Sequence, residues 1–283
     1  MDEGSTPSIS TFWTKNPPFS ADFFVSLPPQ QHATTMKTHI SFLLATMVLA
    51  TACGQQNHDG FETDSFTTKN GKKIRLHALT HASIRIEYDG KEIEIDPVTK
   101  LGDKTIDYAA MPKADYILVT HDHFDHLDTA AIRQLTGSKT QLITNPPCAD
   151  KLGYGTVMAN GDRLQLADDI IVEAVPAYNT TEGHQQFHPK GRDNGFILTL
   201  DGLRIYIAGD TEDIPEMADI KDIDIAFLPC NQPYTMTVEQ LVKVAKTIRP
   251  KVLFPYHYSQ TDVSGIASLL EGDGVEVRIR HYE

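Results

Sequence analysis

Apolar and polar residues alternate from residue 73 onward in a pattern that predicts strands first, then strands mixed with helices. Period-two alternation indicates half-buried strands, and short unbroken apolar runs indicate strands buried on both faces. The predicted strands are KIRLHAL (73–79), SIRIEY (83–88), KEIEIDP (91–97), ADYILVTH (114–121), DIIVEAVPA (169–177), GFILTL (195–200), LRIYI (203–207), DIAFLPC (224–230), KVLFPYHY (251–258) and VEVRIR (275–280). Asp89-Gly90 and Asp201-Gly202 predict tight hairpin turns.

Helices are predicted where apolar residues recur at three- and four-residue spacing. The clearest one spans 238–248, with one face formed by Val238, Leu241, Val242, Ala245 and Ile248. Thr237 and Gln240 have the spacing of a capping box at its start. Segment 129–135, which follows the capping residue Asp128, and segment 264–272 are also predicted to be helical.

The beginning of the chain lacks this periodicity. Residues 1–35 are rich in Ser, Thr and Pro, and Met36 then precedes an uncharged apolar run at 40–50. The run is too short to span a bilayer, and Ala50-Thr51-Ala52 before Cys53 fits a cleavage site of small residues. The order of these features resembles a bacterial lipoprotein signal. The alternative is a buried hydrophobic helix.

The lipoprotein resemblance implies a signal peptide over residues 36–52 and a lipid-modified Cys53 at the mature N-terminus. Translation would then begin at the start of that peptide, so residues 1–35 would be a non-native or disordered extension. The polar, glycine-dotted segment 53–72 is predicted to be a flexible tether to a folded domain, residues 73–283. The expected location is the bacterial cell envelope, with the lipid on Cys53 as membrane anchor.

The composition is that of a globular protein with one large or two small domains. The chain has 283 residues, 40% of them hydrophobic, and a formal net charge of −13. A polyanion is repelled by such a charge, which argues against nucleic acid as a partner. Cysteines are too few for a disulfide scaffold, and Cys148 and Cys230 either pair or stay as lone buried thiols.

Residues 119–128, VTHDHFDHLD, place three histidines and three aspartates directly after an apolar run. Alternate residues at a strand end point the same way, so His121 and His123 can aim at one point. The turn into the following helix brings Asp125 and His126 to the other side of that point. Imidazole and carboxylate groups together suit zinc, iron or manganese. The segment is therefore predicted to hold most of a two-metal site.

The string HDHFDH (121–126) resembles the signature of the metallo-β-lactamase superfamily. This resemblance implies a four-layer αββα sandwich, an α/β (α+β) fold, with a dinuclear site at one edge. Two later ligands have counterparts at predicted strand ends, Asp210 in IYIAGDT and His257 in LFPYHYS, and Asp210 would bridge both ions. The implied cofactors are two divalent metal ions, most readily zinc, with iron or manganese as alternatives.

A further histidine ligand of this superfamily usually follows the central strand. Asn179 stands near that place, and NTTEGHQQFHPKG (179–191) offers His184 and His188 downstream. The chain resembles a subgroup that carries PAYN followed by FHP, and this resemblance favours His188. The alternatives, that His184, Asn179 or a water molecule completes the first metal site, stay open.

Segment 80–97, THASIRIEYDGKEIEIDP, is similar to the L-ascorbate-6-phosphate lactonases and the N-acylphosphatidylethanolamine-hydrolysing phospholipase D enzymes. These open with a Gly-His or Thr-His turn and keep an Asp-Pro after the third strand, which makes His81 and Asp96 candidate pocket residues. The alternative is that both are structural turn residues. His126 and the aspartate at position 210 depart from the commonest antibiotic-hydrolysing class, so β-lactamase activity is not expected.

The implied activity is metal-dependent hydrolysis of a lactone, another ester or a phosphodiester in a small-molecule or lipid-like substrate. Two ions would pull the pKa of a bridging water toward neutrality. Asp125 would bind metal and orient the hydroxide, while Tyr258 or His81 would assist the oxyanion or the leaving group. The alternatives are an iron-dependent oxidoreductase on the same fold and a lipid-anchored binding protein without catalysis.

Overall fold

The computed structural model describes residues 55–56 and 60–282 of the chain. The predicted extension, signal peptide and Cys53 therefore lie outside the described residues. None of the described helices has the length and apolar character that crossing a bilayer requires.

The described residues form short strands and helices in an irregular alternation. The strands are β1 (Gln55–Gln56), β2 (Glu62–Thr67), β3 (Lys73–Thr80), β4 (Ser83–Tyr88), β5 (Lys91–Ile95), β6 (Lys100–Leu101), β7 (Lys104–Thr105), β8 (Tyr116–Val119), β9 (Gln141–Thr144), β10 (Thr156–Val157), β11 (Arg163–Ala167), β12 (Ile170–Ala177), β13 (Asp193–Leu200), β14 (Leu203–Ile207), β15 (Ile225–Pro229), β16 (Val252–Tyr256) and β17 (Glu276–Val277). The helices are α1 (Thr129–Leu135), α2 (Pro146–Leu152), α3 (Val238–Ile248) and α4 (Ile266–Leu269), with 3-10 turns at Tyr108–Ala110 and Pro215–Asp219.

Most of the strands belong to two large sheets. The first has eight strands in the order β1-β2-β3-β4-β5-β8-β9-β10, and the second has seven, β11 to β17, in chain order. Each sheet starts antiparallel and finishes parallel, through β5-β8-β9-β10 in the first and β14-β15-β16-β17 in the second. Parallel strands present their carboxyl ends at one edge, so loops from several strands can meet there.

Apolar side chains pack the two sheets against each other and pack helices on their outer faces. In β8, Tyr116 and Leu118 join the large cluster shared with the second sheet, whereas Ile117 and Val119 join a smaller cluster with α1. Leu241 on α3 belongs to the large cluster. The layer order is helix, sheet, sheet, helix, which confirms the predicted αββα sandwich.

The local signals for turns and caps are confirmed. The Thr237 hydroxyl accepts from Gln240 N at 3.1 Å, and the Gln240 side chain accepts from Thr237 N at 2.8 Å, which completes the capping box of α3. Asp128 caps α1 through Ala130 N at 2.7 Å. Asp89 and Asp201 both adopt a φ of +47°, as the predicted hairpin turns require.

The last helix and strand are shorter than predicted. Helix α4 is followed by Gly272 and Gly274 at positive φ, a backbone that no helix continues. Beyond β17, the Arg278 N–H still donates to the Leu253 carbonyl at 2.8 Å, and the side chains of Arg278 and Arg280 bind Asp64. Several elements were not predicted, among them strands β9 and β11 and helix α2. Cys148 and Cys230 are both buried and free.

The predicted tether at 53–72 is wrong for residues 62–67, which form strand β2. This strand pairs with β3 along its whole length. Asp64 on β2 is buried, and Arg280 binds both of its carboxylate oxygens, at 2.7 and 2.8 Å. The polar composition of the segment suggested a solvated linker. The pairing of Asp64 could not be foreseen, because its partner Arg280 lies near the other end of the chain.

Glu94 on β5 is a buried acid that the candidate site does not use. Neither carboxylate oxygen has a hydrogen-bond partner among the described residues, and Arg85 Nε lies 3.9 Å from Oε1. Burial raises the pKa of Glu94 well above its usual range, and Arg85 offsets only part of this effect. The folded protein therefore holds a proton that the unfolded chain releases at lower pH.

We expect Glu94→Gln to stabilise the protein at alkaline pH. A raised carboxyl pKa costs no stability below the unfolded value of 4.5, and the cost grows as pH rises toward the folded value. A gain in the free energy of unfolding is therefore expected at about pH 8, and none at about pH 4. Chemical denaturation at both pH values measures it. Glu271→Gln, at an exposed position, is the control, and a gain independent of pH would contradict the assignment.

Candidate metal centre

The loop between β8 and α1 carries the first four predicted ligands. It tightens into a turn in which the His126 N–H donates to the His123 carbonyl at 3.1 Å. The turn places His121 and His123 in one group of ligand atoms and Asp125 and His126 in another. His121 and His126 also share a third group with Asp210, so the HDHFDH segment contributes donor atoms to all three groups.

Three more predicted residues reach the same place from other chain segments. Asp210 follows β14, His257 directly follows β16, and His81 occupies the turn between β3 and β4. His81 and His257 adopt left-handed φ values of +52° and +47°, and the His257 N–H donates to the His81 carbonyl at 3.2 Å. Such a backbone is uncommon outside glycine and persists where surrounding contacts impose it. This hydrogen bond supplies one such contact.

Gly209 allows the end of β14 to reach the cluster. Its φ is +64°, and a Cβ at this position would lie 2.7 Å from the Asn194 carbonyl oxygen. Its N–H donates to the Tyr256 hydroxyl at 3.0 Å. Only glycine fits this conformation and this close approach, so the GDT sequence serves to deliver Asp210 to the sheet edge.

The Asp210 carboxylate lies at the centre of the cluster. Its Oδ2 is 3.1 Å from His257 Nε2 and 3.4 Å from His188 Nε2. His121 Nε2 is 3.9 Å from the same oxygen, and His126 Nε2 is 3.3 Å from Oδ1. Two ligands held ~2.1 Å from a tetrahedral zinc ion are ~3.4 Å apart. The observed spacing therefore fits ions coordinated between these atoms.

The ligand atoms fall into groups whose members lie within 4.8 Å of one another. The groups are His121, His123 and His188; His81, Asp125, His126 and His257; and His121, His126 and Asp210. The buried Nε2 atoms of His126 and His188 and Oδ1 of Asp210 have no hydrogen-bond partner among the described residues. Buried polar atoms are seldom left in this state. The donor set and its unpaired atoms fit divalent cations, and all seven predicted metal ligands are brought together.

Two buried carboxylates, Asp96 and Asp193, contact the Nδ1 atoms of His126 and His188 and so orient these rings. Asp96 Oδ2 lies 2.8 Å from His126 Nδ1, and Asp96 Oδ1 accepts from the Thr120 N–H at 2.7 Å. Asp193 Oδ2 lies 3.1 Å from His188 Nδ1. A carboxylate on Nδ1 fixes the tautomer that leaves Nε2 free to bind a metal. The candidate pocket residue Asp96 thus contacts a predicted ligand, whereas Asp193 was not foreseen from the sequence.

Burial and neighbouring charges divide the histidines into two classes. Burial lowers the pKa of His121 and His123, so these rings are neutral at physiological pH. Burial also opposes the charge on His126, His188 and His257, but nearby carboxylates, Asp210 in each case, outweigh it and raise the pKa, for His257 to about 9. A divalent ion must displace protons from these three rings when it binds.

The loop after β12 distinguishes His188 from His184. His188 is fully buried in the cluster, whereas His184 is partly exposed and its Nδ1 lies 3.0 Å from Glu212 Oε1. Glu212 also accepts from the N–H groups of Thr180 and Thr181, at 2.8 and 2.7 Å. His184 therefore helps to bind its loop to the segment after Asp210, and the structure favours His188 as the ligand.

Asn179, the third alternative, holds the same loop. Its side-chain amide donates to the carbonyls of His184 and Tyr234, at 3.3 and 2.9 Å, and its N–H donates to the His188 carbonyl at 2.9 Å. These bonds connect the loop that carries His188 with the loop after β15. Asn179 is thus a positioning residue for the cluster.

The C-terminal segment, residues 280–282, supports the rim of the site. The Arg280 carbonyl accepts from the Tyr258 hydroxyl at 2.6 Å, and the His281 carbonyl accepts from Lys104 Nζ. The Tyr282 carbonyl accepts from the His81 N–H at 2.9 Å. The Tyr258 hydroxyl is thus directed to the main chain and Tyr258 is not among the residues that line the cavity, so these contacts give no support to its predicted catalytic role. His81 does line the cavity, with Nε2 3.4 Å from Asp125 Oδ2.

We expect Asp96→Asn to weaken metal binding about 10- to 100-fold, because the variant loses the carboxylate that orients His126. A chelator-competition titration measures the affinity. Asp168→Asn, which changes an exposed carboxylate, is the matched control. An affinity equal to that of the control would show that Asp96 only shapes the turn.

A family model of the β-lactamase superfamily domain matches residues 75–257, which include every predicted metal ligand. The chain belongs to the metallo-β-lactamase superfamily. This confirms the predicted family, and within it the chain is similar to proteins named metal-dependent hydrolases. A UPF0173 metal-dependent hydrolase of Pyrococcus abyssi is 31% identical over 198 residues, covering 66% of this chain and 85% of the relative.

Solved structures place this superfamily member in the same group. A protein from Parabacteroides distasonis that carries the name metal-dependent hydrolase is 52% identical, with a TM-score of 0.76, and covers 79% of this chain and 100% of its own. A metallo hydrolase from Ignicoccus hospitalis is 27% identical, with a TM-score of 0.62, and covers 73% and 94%. The chain is thus a metal-dependent hydrolase, as predicted.

Proposed function

We propose that this superfamily member binds two divalent metal ions, most readily zinc, and hydrolyses a lactone, another ester or a phosphodiester. The observation that carries the proposal is the position of Asp210, whose Oδ2 lies near His257, His188 and His121 and whose Oδ1 lies near His126. A carboxylate between two sets of nitrogen donors is the arrangement that a pair of neighbouring cations needs.

The donor atoms divide naturally between two ions. One ion would be held by His121, His123 and His188, the other by Asp125, His126 and His257, and Asp210 would be shared. When bound, the ions would activate a water molecule for attack and stabilise the negative charge that gathers on the substrate. The buried carboxylates behind the ligands keep the imidazoles in the required tautomer.

Asp125 and His81 face the cavity beside the second set of donors. Burial opposes ionisation of Asp125, but the neighbouring His257 and His81 rings, whose Nε2 atoms lie 3.7 and 3.4 Å from Oδ2, outweigh it and hold the pKa of Asp125 far below the usual range. Asp125 is therefore an anion that can accept a hydrogen bond from the attacking water and orient it. The His81 ring lies next to it, within reach of a substrate oxygen or leaving group.

Metal analysis combined with a substrate screen tests this proposal. The protein is loaded with zinc, iron or manganese and assayed with phenyl esters, lactones, bis(p-nitrophenyl) phosphate and a β-lactam. We expect about two ions per chain, hydrolysis of at least one ester class, and no β-lactam turnover. A single ion per chain would overturn the dinuclear assignment, and oxygen consumption by the iron form without hydrolysis would indicate an oxidoreductase.

We also propose that the protein is a lipoprotein of the bacterial envelope, anchored through Cys53. Support comes from the order of the apolar run, the small residues at 50–52 and the cysteine. Mass spectrometry of the native protein should find a lipid on Cys53 and no peptide from residues 1–35. Cys53→Ala should release the protein from the membrane fraction, and unchanged membrane association would contradict the anchor.

A further inference from the structure

The cavity over the metal cluster has an aromatic mouth. It encloses about 840 Å³, a volume suited to a small organic molecule. His81, His123, Asp125, His188 and Asp210 are among the residues that line it. Leu101, Phe124, Phe187 and Tyr234 also line it.

Two of these side chains are largely exposed to solvent. Phe124 is 79% exposed and Tyr234 is 44% exposed. A single exposed apolar residue needs no explanation, but several around one opening mark a binding surface. The exposed surface of these rings is available for an apolar part of a substrate to cover.

The aromatic side chains are attached to the site machinery. Phe124 lies between the predicted ligands His123 and Asp125, and Phe187 directly precedes His188. The rings of Phe187 and Tyr234 meet edge to face with centroids 4.9 Å apart. The Tyr234 carbonyl is bound by Asn179, which also holds the His188 loop. The mouth is therefore positioned by the same bonds that position the metal donors, so it is pre-organised.

Apart from the candidate metal ligands, the side chains around the cavity offer little that would bind an anionic group. Among the described residues that line it, Lys104 is the one Lys or Arg, and its Nζ donates to the His281 carbonyl. Asp103 adds a carboxylate at the opening. Phosphate groups are usually recognised by clusters of Arg and Lys or by helix N-termini. An uncharged substrate with an apolar part matches this cavity better.

Resting on the proposed hydrolase function, we propose that the substrate is an uncharged carboxylic ester or lactone with an apolar acyl chain. The chain lies against Phe124, Phe187 and Tyr234 while the carbonyl faces the metal cluster. In the reaction the oxygen of water bonds to the acyl carbon and the acyl C–O bond breaks. The leaving oxygen takes a proton, which gives an alcohol and a carboxylic acid that ionises.

A chain-length series on the metal-loaded protein tests the inference. The probes are p-nitrophenyl acetate, butyrate, hexanoate and octanoate, with γ-lactones of matching chain length. Each methylene buried against the mouth should raise kcat/KM about fourfold until the chain fills the cavity. Phe124→Ala and Tyr234→Ala should each flatten this increase while leaving the metal content unchanged. Tyr154→Ala, which removes an aromatic ring that is 50% exposed and does not line the cavity, should retain it.

The outcomes separate this inference from the proposed function. A kcat/KM that does not depend on chain length, or a slope that persists in both variants, would overturn the apolar subsite while hydrolysis itself stands. A preference for bis(p-nitrophenyl) phosphate over every ester and lactone would do the same. No turnover of any of these compounds by protein with two bound ions would refute the proposed hydrolysis instead.

Discussion

Replacing Asp210 with alanine should abolish hydrolysis, with kcat reduced on the order of 10³-fold or more, and should lower the metal content below two ions per chain. The Asp210 oxygens lie 3.1 to 3.9 Å from the nitrogens of four histidines, all of which are predicted ligands. Without this carboxylate, two cations would repel each other across the site. Metal analysis and steady-state kinetics on the same preparation measure the effect.

The folded state of the Asp210 variant must be shown independently. A thermal melt compares it with the parent, and Asp219→Asn serves as the matched control because this carboxylate is exposed on a 3-10 turn of the same loop. The control should keep full activity and two ions. If Asp210→Ala folds, binds two ions and retains activity, the bridging assignment is wrong.

The second large effect is expected from His188→Ala, compared with His184→Ala. His188 is buried, with Nε2 3.4 Å from Asp210 and Nδ1 3.1 Å from Asp193, so its loss should leave about one ion per chain and lower kcat about 10²-fold or more. His184→Ala removes one contact to Glu212, which keeps its bonds to the Thr180 and Thr181 N–H groups. It should keep both ions and lose less than about tenfold in activity.

The two histidines thus act as controls for each other, since they lie four residues apart in one loop. Metal content, measured before any assay, decides between them. Loss of an ion in His184→Ala together with full occupancy in His188→Ala would reverse the assignment. Equal loss in both variants would mean that the loop as a whole, and not one ring, completes the site.

Most of the candidate ligands could be proposed from the sequence because they lie in a local motif or at a predicted strand end, whereas His188 was one of several alternatives in its loop. His121 to His126 form one continuous motif after an apolar strand, and Asp210 and His257 end strands of their own. Strand periodicity and turn residues likewise identified both hairpins and the capped helix α3. Such signals depend only on neighbours in sequence, so they survive without knowledge of the rest of the fold.

The features that could not be predicted depend on residues far apart in the chain. Strand β2 looked like a linker because the partner of Asp64 is Arg280, 216 residues away. The hydrogen bond from the Tyr258 hydroxyl to the Arg280 carbonyl could not be predicted from neighbouring residues either. Phe124 lies inside the metal motif, but only the folded cavity shows that its ring faces the opening. The partner of a buried charge and the exposure of a side chain depend on the tertiary structure, so they cannot be read from neighbouring residues in the sequence.

The C-terminal segment ties the last residues of the chain to the catalytic rim. Its carbonyls hold the His81 turn, the β6–β7 hairpin through Lys104, and Tyr258, while both large sheets pair without it. Loss of the bonds to the carbonyls of residues 281 and 282 should therefore displace His81 and Lys104 while leaving the pairing of both sheets intact.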